Sequence, residues 1–376
     1  MDWRVPLADL DFGSEEEEAV LRVLRSRWLT MGGVTQEFEA RFAELAGCRH
    51  ALAVSNATQA LHLACLAIDL GPGDEVIVPS LTFVATANAV LYTGAEVRFA
   101  DIIGPDDLTI DPEAVEAAVT LRTKAIIVMH YAGYPCRMRE ISAVADKYGL
   151  RIIEDAAHAP GAALDGRPLG SWGDVGCFSF FSNKNLSTGE GGMLTTNDDR
   201  LAERVRLMRS HGMTSLTYDR HKGHAFSYDV VELGYNDRID ELRAALGVAQ
   251  LGKLARNNAR RAELTHLYWQ MLDSTGVVLP FAHTSQGKPA HHIFPMLLPP
   301  GTDRQRFMES LRDAGIQSSI HYRPVHTFSF YREQCGVQHL PRTEDAAARE
   351  VTLPLYPTMG EERVRAVVDA VKAALQ

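Results

Sequence analysis

Between residues 51 and 155 the chain alternates short apolar runs with helical stretches, and this alternation limits the folds open to it. The spacing predicts strands at Ala51–Val54, Glu75–Pro79, Glu96–Asp101, Lys124–His130 and Arg151–Asp155. It predicts helices between them at Ala57–Ile68, Phe83–Tyr92, Pro112–Val119 and Met138–Tyr148. Repeated βα units with apolar strands imply an α/β fold with a mostly parallel, mixed sheet flanked by helices. Ligands of such sheets bind beyond the carboxyl ends of the strands. The residues just after each strand are therefore the candidates for chemistry.

The flanking segments are helical in pattern. Ser14–Arg25 opens with four glutamates, Glu15 to Glu18, in the first turn, where the helix dipole favours them. They read as a solvated helix start, with Ser14 as its cap. Further helices are expected at Thr35–Ala46, Asp198–Ser210 and over a long stretch from about Asp237 to Ser274. Pro280 and the loop to Pro289 mark a boundary. Beyond it His292–Leu298 and Gln317–His321 read as strands, and Asp303–Ala314 and Gly360–Leu375 as helices. The expected organisation is a large domain over residues 1–250 and a smaller α/β domain over residues 251–376.

One stretch stands apart: VGCFSFFSNKNLSTGEGGMLTT, Val175 to Thr196, with Lys184 near its centre. Val175–Phe181 and Gly191–Thr196 read as buried strands joined by an irregular polar turn. A lysine carried on such a turn is held, and partial desolvation lowers its pKa and makes the amine a nucleophile able to form a Schiff base. The glycines here do not form a phosphate-binding P-loop, because no Gly-Lys-Ser/Thr follows at the required spacing.

Other strand ends carry groups that complement this amine. Ser55-Asn56-Ala57-Thr58-Gln59 starts a helix, and its free N–H groups with a hydroxyl make an anion site or a plain N-cap by Ser55 or Thr58. Phe83 follows the second strand and is either a core residue or a face for a planar ligand. Asp155 ends a buried strand and needs a partner: a protein arginine, a backbone turn, or a protonated heterocyclic nitrogen. Ser179 offers a second hydroxyl beside the anion site. Amine, carboxylate, aromatic face and anion hole together are what pyridoxal 5'-phosphate requires.

Composition removes several other classes. A formal charge of −10 without a dense basic stripe argues against nucleic acid. No apolar run of 18 residues appears, so no membrane span is expected. The acidic N-terminus lacks a secretory h-region. The 5 cysteines are scattered, with no CxxC pair, which suggests reduced thiols in a cytoplasmic protein and no structural metal site.

Nine collinear blocks resemble the DegT/DnrJ/StrS family of fold-type-I sugar aminotransferases. They are WLTMG (from Trp28), SNATQALHLA (Ser55), GDEVIVPSLTFVATANAV (Gly73), EDAAHAPGA (Glu154), CFSFFSNKNLSTGEGGML (Cys177), RSHGM (Arg209), GYNDRIDELRAALG (Gly234), IHYRPVH (Ile320) and LPLYP (Leu353). The resemblance implies that Lys184 forms the Schiff base, that Asp155 pairs with the pyridine nitrogen, and that His158 sits near the cofactor's phenolic oxygen. It implies that Phe83 stacks on the ring and that Thr58, Gln59 and Ser179 contact the phosphate. Asn236 would reach the phosphate of a neighbouring subunit, which implies a homodimer with shared sites. Arg238, His321 and Tyr322 fall in segments that line the substrate cleft.

The activity so implied is ping-pong transfer of an amino group from L-glutamate to a nucleotide-linked keto sugar, with a 4-keto-6-deoxyhexose aminated at C4 as first choice. Amination at C3, amination of a cyclitol ketone, and a regulatory protein that merely binds the cofactor are the alternatives. Three positions depart from the family pattern: Ala57 replaces a common Gly, Phe181 a common His, and Gly33 a common Pro.

Overall fold

The computed structural model describes residues 3–215, 227–284 and 286–376. Its centre is a seven-stranded sheet. The strands are β1 (His50–Val54), β2 (Glu75–Pro79), β3 (Glu96–Ala100), β4 (Thr123–Met129), β5 (Arg151–Asp155), β6 (Val175–Ser179) and β7 (Gly192–Thr196). Their spatial order is β1-β7-β6-β5-β4-β2-β3. All neighbouring pairs from β6 to β3 are parallel, whereas β7 is antiparallel to both β6 and β1. The mixed, mostly parallel α/β fold expected from the sequence is thus present.

Burial follows the strand sequences. β2 (EVIVP), β6 (VGCFS) and β7 (GMLTT) are buried at every position. Helices cover the sheet on both faces, and each fully buried Val or Ile contributes ~1.5–3 kcal/mol. On one face Phe38 and Phe42 of helix α2 (Gly33–Ala46) meet Phe178 and Phe180 at ring distances of 4.8–5.4 Å. On the other, helix α3 (Ala57–Ala67) presents Leu61, Leu63, Ala64 and Cys65.

A 32-residue helix, Glu241–Leu272, joins two cores. Ala244 and Leu254 belong to the core around the sheet, and Leu264, Tyr268 and Leu272 to a second core with the C-terminal helix Glu361–Ala374 and the antiparallel strand pair of Phe294–Leu297 with Glu350–Leu353. Glu241 also closes the start of α2. Its carboxylate accepts the N–H groups of Gly32, Val34 and Thr35 at 2.8–2.9 Å and the Thr35 hydroxyl at 2.6 Å. Replacing Glu241 with alanine strands buried donors that water cannot reach. The expected cost is about 3 kcal/mol, read as a fall in urea midpoint with the slope unchanged.

Four expectations change. Gly13, not Ser14, is the first N-cap, and Glu16 is not solvated: it is buried and accepts from Lys253 Nζ, Gln250 Nε2 and the Gly13 N–H. The acid that completes the helix start also fastens it to the long helix. The helix after β2 begins at Ala85, which leaves Phe83 on the preceding turn. Gln317–His321 forms no strand; within it only Ser319 makes a single bridge, to Thr352, while Ile316 just before it bridges to Val5, so the neighbours lie on different segments. Among the described residues no helix is long and apolar enough to cross a membrane.

Candidate active site

The carboxyl ends of β1, β2, β4, β5 and β6 open on one cavity of ≈ 720 Å³. Thr58, Gln59, Phe83, Asp155, His158, Ser179, Lys184, His321 and Tyr322 all line it. So do Asn56, Met129, Phe181, Asn183 and Glu190. Asn236 and Arg238 do not line this cavity. Asn236 is exposed and bridges to Ser210, and the Arg238 guanidinium donates to Ser210 Oγ at 3.1 Å.

Lys184 sits where the sequence places it, on the turn between β6 and β7. The base of that turn is closed by Phe180 N–H to Gly191 O (2.8 Å) and Thr188 N–H to Phe180 O (2.9 Å). The Lys184 N–H donates to Phe181 O at 2.9 Å. The next residue is the anchor. Asn185 Nδ2 donates to Asn258 Oδ1 (2.8 Å) and Ala290 O (2.7 Å), and His292 Nδ1 donates to Asn185 Oδ1 (2.9 Å). Three buried polar groups from the long helix and from residues 290–292 thus fix the lysine's backbone.

Burial lowers the Lys184 pKa to about 8, against a smaller opposing pull from Asp155. At pH 7 about one amine in ten is then free, compared with roughly one in three thousand for an ordinary lysine. Reactivity of the cofactor-free protein toward an aldehyde or trinitrobenzenesulfonate is expected to rise through pH 8 at this one lysine. A midpoint near 10.5 at Lys184, followed by peptide mass mapping, would contradict that.

Asp155 is 4% exposed. Its Oδ2 accepts from Thr86 Oγ1 at 2.7 Å and its Oδ1 from the Ala157 N–H at 3.2 Å. Among the described residues no arginine pairs with it. Burial raises its pKa, and the hydrogen bonds and Lys184 counter this only in part. A carboxylate so placed favours an additional cation in the cavity. Thr86 was invisible in the sequence, since it lies 69 residues from Asp155 on a different βα unit.

At β1 the helix α3 starts with Asn56 as cap, its side chain accepting from the Gln59 N–H at 3.0 Å. The cap is therefore neither Ser55 nor Thr58, and the Thr58 hydroxyl is not spent on that bond. Ser55 Oγ donates to Gln59 Oε1. Phe83 is 55% exposed, its ring 6.1 Å from that of Tyr322, so it has a free face. His158 is buried between the Ala132 N–H and the Tyr322 hydroxyl. An amine of depressed pKa, an acid short of a cation, an open aromatic face and a helix N-terminus suit a planar, aldehyde-bearing, phosphorylated pyridine.

The model of the DegT/DnrJ/EryC1/StrS aminotransferase family matches residues 11–372. The chain belongs to this family. Its members are pyridoxal-phosphate enzymes, and this chain is an aminotransferase among them. It is 41% identical over 368 residues to the spore coat polysaccharide biosynthesis protein SpsC of Bacillus subtilis, covering 96% of this chain and 94% of that protein. Among solved structures it is similar to Helicobacter pylori PseC, an aminotransferase involved in pseudoaminic acid biosynthesis (TM-score 0.92, 30% identity, 100% and 99% of the two chains). It is also similar to DesV of S. venezuelae, solved with a ketimine intermediate (TM-score 0.91, 35% identity, 99% of each chain). These family folds carry the same α/β architecture.

Proposed function

We propose that this aminotransferase transfers an amino group from L-glutamate to a nucleotide-linked keto sugar, with a 4-keto-6-deoxyhexose aminated at C4 as the preferred acceptor. The observation that carries this reading is the single cavity in which Lys184 and Asp155 stand together at adjacent strand ends of a family chain. The polysaccharide and pseudoaminic acid pathways named for SpsC and PseC support a sugar acceptor.

Pyridoxal phosphate, when bound, supplies the carbonyl that engages an amine and a ring that accepts electrons. Lys184 provides the resting amine and, once released by substrate, takes a proton from the amino donor's α-carbon and returns one to the acceptor's carbon. Asp155 holds a proton on the ring nitrogen by its negative charge. Phe83 offers its open face to the ring. Thr58, Gln59 and Ser179 bind the phosphate, with the N-terminus of α3 adding its dipole. His158, which lines the cavity beside Asp155, would sit near the cofactor's phenolic oxygen. Asn236 serves the phosphate of a second subunit; its exposure, away from its own cavity, supports a homodimer with shared sites. Arg238, His321 and Tyr322 contact substrate, Arg238 in the same cross-subunit manner.

The test is incubation with L-glutamate and a panel of nucleotide keto sugars, followed by mass spectrometry. Production of 2-oxoglutarate with an aminated sugar nucleotide is expected. Turnover with simple 2-oxo acids alone would reject the sugar.

A further inference from the structure

Tyr322 lines the cavity, and its hydroxyl lies 2.9 Å from His158 Nε2. The direction of that bond is set on the other side of the imidazole. There the backbone N–H of Ala132 donates to His158 Nδ1 at 3.2 Å. A ring nitrogen that accepts cannot carry the proton, so His158 bears it on Nε2. Burial, reinforced by Lys184 and His321, keeps this histidine's pKa well below the usual value, so it stays neutral. His158 Nε2–H is therefore the donor and Tyr322 Oη the acceptor. The tyrosine's own O–H is left for a different partner.

The tyrosine is also held in place. The Tyr131 hydroxyl donates to the carbonyl of His321, and the His321 N–H donates to Glu350 Oε2 at 2.8 Å. Thr352 Oγ1 donates to the other Glu350 oxygen and bonds to His321 Nδ1 at 2.9 Å. Glu350 is buried and joins this segment to the antiparallel strand pair of the second core. Burial, with Asp155 and Glu350 adding to it, raises the Tyr322 pKa, so the phenol keeps its proton.

We propose that Tyr322 donates its hydroxyl hydrogen bond to an oxygen of the bound substrate, either the carboxylate of the amino donor or the carbonyl of the keto acceptor, and is a second catalytic residue. The proposal rests on the aminotransferase reading above. No covalent step is assigned to the phenol: its proton is shared with the substrate oxygen and remains on Oη. A preorganised donor aimed at an oxygen where charge develops is worth about 10²–10³ in rate.

The experiment uses cofactor-loaded wild type and Tyr322→Phe. Each half-reaction is followed by rapid mixing, the first with L-glutamate and the second with the keto sugar. The variant is expected to keep the wild-type visible band and a single cooperative thermal transition, its midpoint somewhat lowered because the buried His158 N–H loses its acceptor, while slowing at least one half-reaction tenfold or more. Slowing with glutamate alone assigns the carboxylate, and slowing with the keto sugar alone assigns the carbonyl. Both rates within threefold of wild type would overturn the proposal. A wild type that ignores both substrates would instead overturn the functional reading. A second measurement does not need the variant to fold: the 15N shifts of His158 in selectively labelled wild type. Nε2 is expected to carry the proton, and a proton on Nδ1 would overturn the proposal.

Discussion

Replacing Lys184 with alanine is expected to leave a folded protein whose turnover has fallen by about four orders of magnitude. The upper end of general acid–base catalysis is ~10⁴, and the same change removes the covalent hold on the cofactor. The fold should survive because Asn185, Asn258 and His292, rather than the lysine side chain, hold the turn. Removing a half-buried ammonium also removes its desolvation cost. The variant should show the wild-type thermal transition and no linkage that borohydride can trap. Retention of more than about a hundredth of wild-type turnover would take Lys184 out of the reaction, since no proton-transfer role survives that little loss.

Asp155→Ala is expected to lose at least about two orders of magnitude in kcat with little change in stability. At ~3 Å and an effective dielectric of ~20, a carboxylate and a protonated ring nitrogen attract by about 5 kcal/mol. Half of that, felt in the transition state, is roughly two decades of rate. The stability sign differs from that of an ordinary paired acid. The Asp155 pKa is raised in the folded chain, chiefly by burial. Its ionised form therefore costs folding free energy, a cost that sets in as pH rises out of the ordinary carboxylate range. Alanine relieves this cost and loses two hydrogen bonds, from Thr86 and Ala157. Thermal midpoints measured at pH 5 and pH 8 should show the variant gaining on wild type at the higher pH. Near-normal turnover in Asp155→Ala would reject the proposed pairing.

The sheet was readable because its strands are short, apolar and β-branched and its helices are punctuated by caps and glycines. Strand ends then located the chemistry, and Lys184, Asp155, His158, Thr58, Gln59, Ser179, Phe83, His321 and Tyr322 all reached one cavity. What escaped the sequence are contacts between distant segments that leave no local pattern. Thr86 looks like any residue of an alanine-rich helix until it is seen donating to Asp155. Glu350 looks like the end of a charged helix, yet it is buried beneath His321. Asn258 and His292 come from elements 73 and 107 residues away from Asn185, and only the fold brings them together. Asn236 and Arg238 lie outside the cavity and meet Ser210 instead, a contact that no local pattern shows.

The central claim is that the amine of Lys184 carries the cofactor. It is tested most directly by reducing the holoenzyme with borohydride, digesting it, and locating the added mass. A single phosphopyridoxyl group on the peptide containing Lys184 is the expected result. A colourless protein that takes up no cofactor, or a label on any other lysine, would contradict it.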